Sequence, residues 1–352
     1  MKVTWPRSVT SGRRPHVEVV VPCHNYGHFL PVCVDSIVSQ PGVTTTVTIV
    51  DDTSTDNSAE VAERLTERYS GVQLIRNETN LGAWRTFNVG LRQADSDYVV
   101  LISADDLLAP GALERATTLM EANPGVGLVY GHAQKFTTKP ALKRATPAVS
   151  WTTWLGEQWI GMQLGRSWNN IASPEAVVRT SVHHEVGYYD PALAHTADVE
   201  MWLRIAAVCD VGHINGIDQA YYRRQQVSHS TQFSMYQDIG ERWTAYSQFL
   251  AGWSKTEHAA RYRPLVQRRL SRSALFLLLL QLEHGEDADA MGVLDLAHSI
   301  DPEITDSDLW RDAEARLRGE APGGIGGALR AAVRDLAHGA RWYSWYRWRY
   351  FG

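Results

Sequence analysis

Between Val17 and Tyr130, five short runs rich in β-branched residues alternate with four stretches of helical periodicity, and this alternation constrains the fold more than any other feature of the chain. Val17 to Val21 (VEVVV) reads as a buried strand closed by Pro22. Phe29 to Ser39 follows with apolar residues at helical spacing. Thr46 to Val50 ends in Asp51-Asp52 and leads to a helix through Glu60 and Leu65, capped by Ser54 or Asp56. Val72 to Ile75 is a third strand, Asn80-Leu81-Gly82 a turn, and Ala83 to Gln93 a helix carrying Arg85. Tyr98 to Ile102 stops at Ser103-Ala104-Asp105-Asp106, a helix runs from about Gly111 to Ala122, and Val126 to Tyr130 is a fifth strand.

Such a β-α alternation with short connections predicts a mostly parallel, doubly wound sheet. Right-handed crossovers put the carboxyl ends of its strands on one edge, where open α/β sheets bind ligands. Pro22, Asp51-Asp52 and Asp105-Asp106 are then expected at one crevice. Two adjacent carboxylates at a strand end suit a hard cation. The same pair also suits an acidic turn capping the next helix, so the stretch alone leaves both readings open. No GxGxxG follows the first strand and no GxxxxGK[ST] occurs anywhere, which removes the main support for a dinucleotide-binding dehydrogenase and excludes a P-loop.

Beyond Gly131 the alternation stops. Lys135 to Ser150 reads as a loop, and Trp151, Trp154, Trp159 and Trp168 crowd behind it, either as core packing or as aromatic platforms. Ala176 to Arg179 is a short strand and Val182 to Asp190 a helical turn and loop. His195-Thr196-Ala197-Asp198 precedes an apolar helix, Val199 to Val208, so Asp198 is also a candidate helix cap. Val211–Ile214 and Gln219–Tyr222 read as two short strands. The last third reads as helices over about 232–250, 262–283 and 288–298, then a Gly-rich hinge at 322–327, a helix at 328–338 and a tail in which seven of twelve residues are aromatic and three are Arg. That tail composition fits a peripheral membrane anchor or a segment docked on its own domain or on a sister subunit.

A formal charge of −5 and a pI near 6.2 leave no global basic footprint, so no nucleic-acid partner is expected. Three cysteines without metal spacing, no apolar segment resembling a signal peptide, and no apolar run of spanning length give an expectation of a cytoplasmic protein, with peripheral contact at the inner face of the membrane left open.

VEVVVPCHNYGHFLPVCVDSIVSQ, TVTIVDDTSTDNS, NLGAWRTFNVGL and YVVLISADDLLAPGAL, in that order, resemble the family 2 glycosyltransferases of the GT-A fold, inverting enzymes that use nucleotide-diphosphate sugars. The resemblance covers about residues 17–230. It implies a GT-A α/β fold with an added acceptor subdomain, to which the sequence adds a C-terminal α-helical region. The expected division is a flexible leader over 1–16, a nucleotide-sugar-binding half over 17–135, an acceptor-binding and catalytic half over 136–230, and a helical region over 231–352.

The resemblance also implies roles at matching positions. Pro22, Asn25 and Asp52 would form the nucleoside pocket, with Asp52 accepting from the base. Arg85 would reach the base or the diphosphate. Asp106 and Asp105 match the acidic metal motif, with Ser103 in place of its first acid and Ala104 beside it, and would hold Mn²⁺ or Mg²⁺ against the diphosphate. Asp198 in HTADVEMWLR matches the general base, and His229 lies in a segment that resembles the loop closing over the donor. The implied activity is single transfer of a sugar, with UDP-sugar as the first choice of donor, to the hydroxyl of a glycan, a lipid-linked or a small-molecule acceptor. A nucleotidyltransferase is the alternative enzyme, although Cys23 to Gly27 lacks its Gly-rich basic loop. A non-catalytic nucleotide-sugar or glycan-binding protein is the alternative outside catalysis.

Overall fold

The computed structural model describes residues 1–6, 13–138, 140, 146–167, 169–224, 235–284 and 289–320. Their strands are β1 (Lys2–Thr4), β2 (His16–Cys23), β3 (Thr44–Asp51), β4 (Val72–Arg76), β5 (Tyr98–Leu101), β6 (Leu107–Leu108), β7 (Val126–Phe136), β8 (Ser150–Trp154), β9 (Val177–Arg179) and β10 (Asp210–Arg223). The helices are α1 (Leu30–Val38), α2 (Ser58–Arg68), α3 (Ala83–Gln93), α4 (Ala112–Ala122), α5 (Gly156–Arg166), α6 (Thr180–Val186), α7 (Ala197–Val208), α8 (Met235–Gly252), α9 (Thr256–His284), α10 (Ala290–Ile300) and α11 (Asp308–Leu317).

All ten strands join one sheet in the order β1-β8-β10-β7-β9-β5-β2-β3-β4, with β6 paired to β10. The half formed by β5, β2, β3 and β4 is parallel throughout, and β10 runs parallel to β7. Short β9 lies antiparallel between β5 and β7 and splices the two halves into one sheet. The carboxyl ends of β2, β3, β5, β7 and β10 therefore share an edge, as the alternation requires.

Side chains alternate along the parallel strands, and both faces are covered. Val17, Val19 and Val21 join Leu30, Cys33 and Ile37 of α1, Val61 and Leu65 of α2 and Leu113 and Met120 of α4 in one core. Val20 and Val50 face the other core, with Leu91 of α3, Trp159 of α5, Trp202 of α7, Tyr246 of α8 and Leu275 of α9. Burial of each such side chain stabilises by roughly 1.5–3 kcal/mol. Helix α3 lies so close to β2 that a Cβ at Gly90 would stand 2.3 Å from Val20 Cγ1. The helical C-terminal region seals this second face, since α9 packs against α5, α8, α10 and α11. Among the described residues no helix is long and apolar enough to cross a membrane.

Several expectations change. The leader is not all free, because Lys2–Thr4 pairs antiparallel with Trp151–Thr153; three residues are too few to show a period. The two short strands expected between Val211 and Tyr222 are one strand, β10, with register shifts around His213 and Asp218 and a left-handed Gly216 that masks its continuity in sequence. Helix α2 starts at Ser58 after Asn57, and Asp56 accepts from Ser58 N at 2.9 Å without being the capping residue. Trp151, Trp154 and Trp159 are core residues. Trp168, His229, the hinge, the 328–338 helix and the aromatic tail lie outside the described residues.

Candidate active site

The carboxyl edge of the sheet opens into a crevice of about 460 Å³ whose walls include Pro22, Asp52, Ser103, Asp105, Asp106 and Asp198. Six of the residues singled out from sequence thus converge from separate segments. Asn25, Arg85 and Ala104 do not line it. Asn25, at φ 60°, turns its Oδ1 to the N–H groups of Thr55 (2.8 Å) and Asp56 (3.2 Å), so it clips two loops together behind the pocket. Ala104 is fully buried. Arg85 is exposed, because the helix presents Ala83, Trp84, Thr86 and Phe87 to the crevice and turns residue 85 to solvent. Helical phase along Ala83–Phe87 was the signal for that face.

Asp52 organises one end of the crevice. Its Oδ1 accepts from Asn77 Nδ2 and Leu81 N, both at 2.8 Å, and its Oδ2 accepts from Gly82 N at 3.0 Å. The carboxylate therefore holds the turn that starts α3, where Gly82 stands at φ 77°, a conformation that favours glycine. A carboxylate has about four acceptor sites, so one remains for a further donor. His24 Nδ1 meets the Asp52 carbonyl at 2.8 Å and extends the same wall.

At the acidic end, Asp106 is 2% exposed and its Oδ1 accepts from Arg223 N at 2.8 Å. Burial, reinforced by the neighbouring Asp105 carboxylate, raises the Asp106 carboxyl well above the usual range. Arg223 closes this end with its guanidinium carbon 4.4 Å from the centroids of both Phe29 and Phe136, and it donates through Nε to the Asp105 carbonyl at 3.1 Å. Two adjacent buried carboxylates that repel one another are a donor set suited to a cation. Among the described residues no cluster of three or more His, Cys, Asp or Glu side chains forms a closed metal cage. The pair fits Mg²⁺ or Mn²⁺ in the manner of sites that take one or two carboxylates and complete the sphere with phosphate and water.

Asp198 faces the crevice from the first turn of α7. Its Oδ1 accepts from Val199 N at 2.7 Å and its Oδ2 from Asn169 Nδ2 at 2.5 Å. Thr196, at the N-cap position, makes no side-chain cap, so Asp198 both satisfies a helix N–H and faces the pocket. Burial pushes its carboxyl up to about 6, against the opposing pull of the Val199 N–H, His195 and Asn169. That places a carboxylate base near neutrality. Asn169, His195, Phe87 and Arg223 were not singled out as site residues from sequence, and no motif marks Asn169.

A family model described as glycosyl transferase family 2 matches residues 18–186, which include Pro22, Asp52, Asp105 and Asp106 of this crevice. Just under half of the chain, residues 18–186, thus matches glycosyltransferase family 2. The chain is 29% identical over 223 residues to an uncharacterized protein of Mycobacterium tuberculosis, covering 57% of the chain and 66% of that protein. It is 32% identical over 98 residues to glycosyltransferase GlyG of Streptococcus pneumoniae, covering 28% of the chain and 33% of GlyG. The match thus spans less than two thirds of these relatives' own lengths. Its fold is that of S. aureus TarS 1–349, solved in complex with UDP-GlcNAc (TM-score 0.63, 16% identity, 87% of this chain and 92% of that one). It is also that of a mannosyltransferase from Pyrobaculum calidifontis in complex with GDP-Man and Mn²⁺ (TM-score 0.57, 16% identity, 98% and 85%). The GT-A glycosyltransferase architecture expected from the four motifs is therefore the one the chain adopts.

Proposed function

We propose that this glycosyltransferase moves a sugar with inversion from a nucleoside diphosphate, UDP being the first choice, to an acceptor hydroxyl, with Asp198 as general base. The observation that carries the reading is the placement of Asp198, with its raised carboxyl, on the same crevice as the paired Asp105 and Asp106. Pro22, Asp52 and the Asn80–Gly82 turn would receive the nucleoside. Asp106 and Asp105 would hold Mg²⁺ or Mn²⁺ together with the donor diphosphate, and that cation would offset the charge of the departing nucleotide. The Asp198 carboxylate takes the acceptor hydroxyl proton. The oxygen attacks the anomeric carbon on the face opposite the diphosphate, and the bond between that carbon and the diphosphate oxygen breaks. Neighbours of the same fold in complex with UDP-GlcNAc or GDP-Man support a nucleotide-sugar donor without choosing between them.

The deciding experiment incubates the protein with a panel of UDP- and GDP-sugars and glycoside acceptors, with Mn²⁺, and reads the product anomer by NMR. An inverted product is expected. A retained anomeric configuration would overturn the single-displacement reading, and nucleotidyl transfer to a sugar phosphate would replace it.

A further inference from the structure

Helix α9 carries a feature that the crevice chemistry does not use. The twelve residues Arg261 to Arg272 contain five arginines and no Asp or Glu, in a chain whose formal charge is −5. Arg261, Leu265, Arg268, Arg269 and Arg272 are all exposed, whereas Val266 and Leu270 between them are buried. At about 100° per residue the five exposed positions fall within one stripe about 100° wide. Leu265, in the middle of that stripe, is 50% exposed. The nearest acids do little to neutralise it. Glu303 stands 3.7 Å from Arg268 as an exposed pair, and Glu257 lies one turn before Arg261. The positive field reaches α5, where Arg166 is held below its usual pKa by burial and then by Arg269. Arg166 lies three residues before Asn169, which bonds Asp198.

We propose that this solvent face of α9 docks the protein on an anionic phospholipid bilayer. A stripe of arginines with one apolar residue at its centre suits a headgroup surface: the guanidinium groups pair with lipid phosphates while their stems and Leu265 cover apolar area. Helix α9 is packed against α5, α8, α10 and α11, so a plane that binds its arginine face meets the crevice in a fixed orientation. The docking does not depend on the reading of the crevice.

The test is sedimentation of the full chain with phosphatidylcholine vesicles, with and without phosphatidylglycerol. Binding is expected only to the anionic vesicles and is expected to weaken as ionic strength rises. Replacing Arg268, Arg269 and Arg272 together by Gln should lower partitioning roughly 100-fold, from the contribution of each basic residue near an anionic surface. The same three replaced by Lys should keep most of it. An unchanged melting temperature and far-UV circular dichroism spectrum in both variants report that the fold survives. Undiminished partitioning of the Gln variant, equal loss in the Lys variant, equal binding to neutral vesicles, or binding to soluble polyphosphate but not to vesicles would each overturn the proposal.

Discussion

In the proposed role of base, Asp198 would set both the rate and a cost in stability. Its carboxyl is raised to about 6, so the ionised base is lost as pH falls through that value. The rate of transfer at saturating substrate should therefore fall tenfold per pH unit well below about 6 and level off above it. Asn169 donates to Oδ2, while its own Oδ1 accepts from Ile171 N at 3.0 Å, which fixes the amide's orientation. Removing that donor in Asn169→Ala should move the midpoint of the pH–rate profile upward and lower kcat; an unmoved midpoint with a lower kcat would leave Asn169 a purely structural role. Asp198→Asn should reduce transfer by about 10²–10⁴ with nucleotide affinity retained. The sign on stability is opposite. The folded state binds the proton more tightly than the unfolded chain, so stability present at low pH is lost as pH rises from the usual carboxylate value to about 6. At pH 8 the Asn variant should consequently be more stable by about 1 kcal/mol, the shift being discounted because Asp198 is only half-buried. A lower melting temperature at pH 8 would contradict this.

At the scale of elements, the strand ends carry the site, and Asp52 is the clearest case. It holds the turn before α3 by three hydrogen bonds, so Asp52→Ala leaves the Leu81 N–H without its acceptor and the Gly82 N–H with Asn80 Oδ1 alone. A loss of about 2–4 kcal/mol in denaturant unfolding is expected, together with loss of nucleotide binding. Arg85→Ala, on the exposed face of the next helix, should change stability by no more than about 0.5 kcal/mol and leave nucleotide affinity unchanged. The pair of results separates the two residues that sequence reading placed together in one pocket. The parallel strands were legible because each is a short run rich in β-branched residues that stops at proline, glycine or a polar residue, and α3 was legible to the residue because Gly82 precedes it and a strand follows. Other elements left no comparable trace. Leu107–Leu108 looks like part of a turn, yet pairs with Ala220–Tyr221 through long-range hydrogen bonds that no local pattern records. Strand β10 carries its bulges and Gly216 inside one continuous ladder. Helix α5 opens at Gly156, a close-approach glycine whose Cβ would stand 1.9 Å from the Ala206 carbonyl oxygen, so tertiary packing and not propensity sets its start. In the site, the charged residues were legible because their chemistry is distinctive. Phe87 and Asn169 were not, because their value lies in which wall they face.

At the scale of the whole molecule, the crevice is assembled by both halves of the sheet. Pro22, Asp52 and Phe87 come from the parallel half, and Asp198, Tyr222 and Arg223 come from chain segments beyond β9. A ligand spanning it binds only the folded arrangement, so ligand binding adds to stability by mass action. A nucleotide at about a hundred times its dissociation constant contributes about 2.7 kcal/mol, which for a chain of this size is a rise of about 4 °C in Tm. The acidic end decides how that rise depends on metal. Asp105 and Asp106 are buried beside one another, and their mutual repulsion is a cost to the free protein that a cation removes. UDP with Mn²⁺ should therefore give the full shift, and UDP with EDTA under about 1 °C, since the diphosphate alone would face two carboxylates. Asp106→Asn reverses both halves of the balance. It removes one of the repelling charges while keeping an acceptor for Arg223 N, so the free protein should melt higher, and it removes the principal cation ligand, so the nucleotide shift should vanish with or without Mn²⁺. A full shift in the Asn variant would mean that the diphosphate is held by Arg223 without a metal, and the donor site would then have to be redrawn around the guanidinium packed between Phe29 and Phe136.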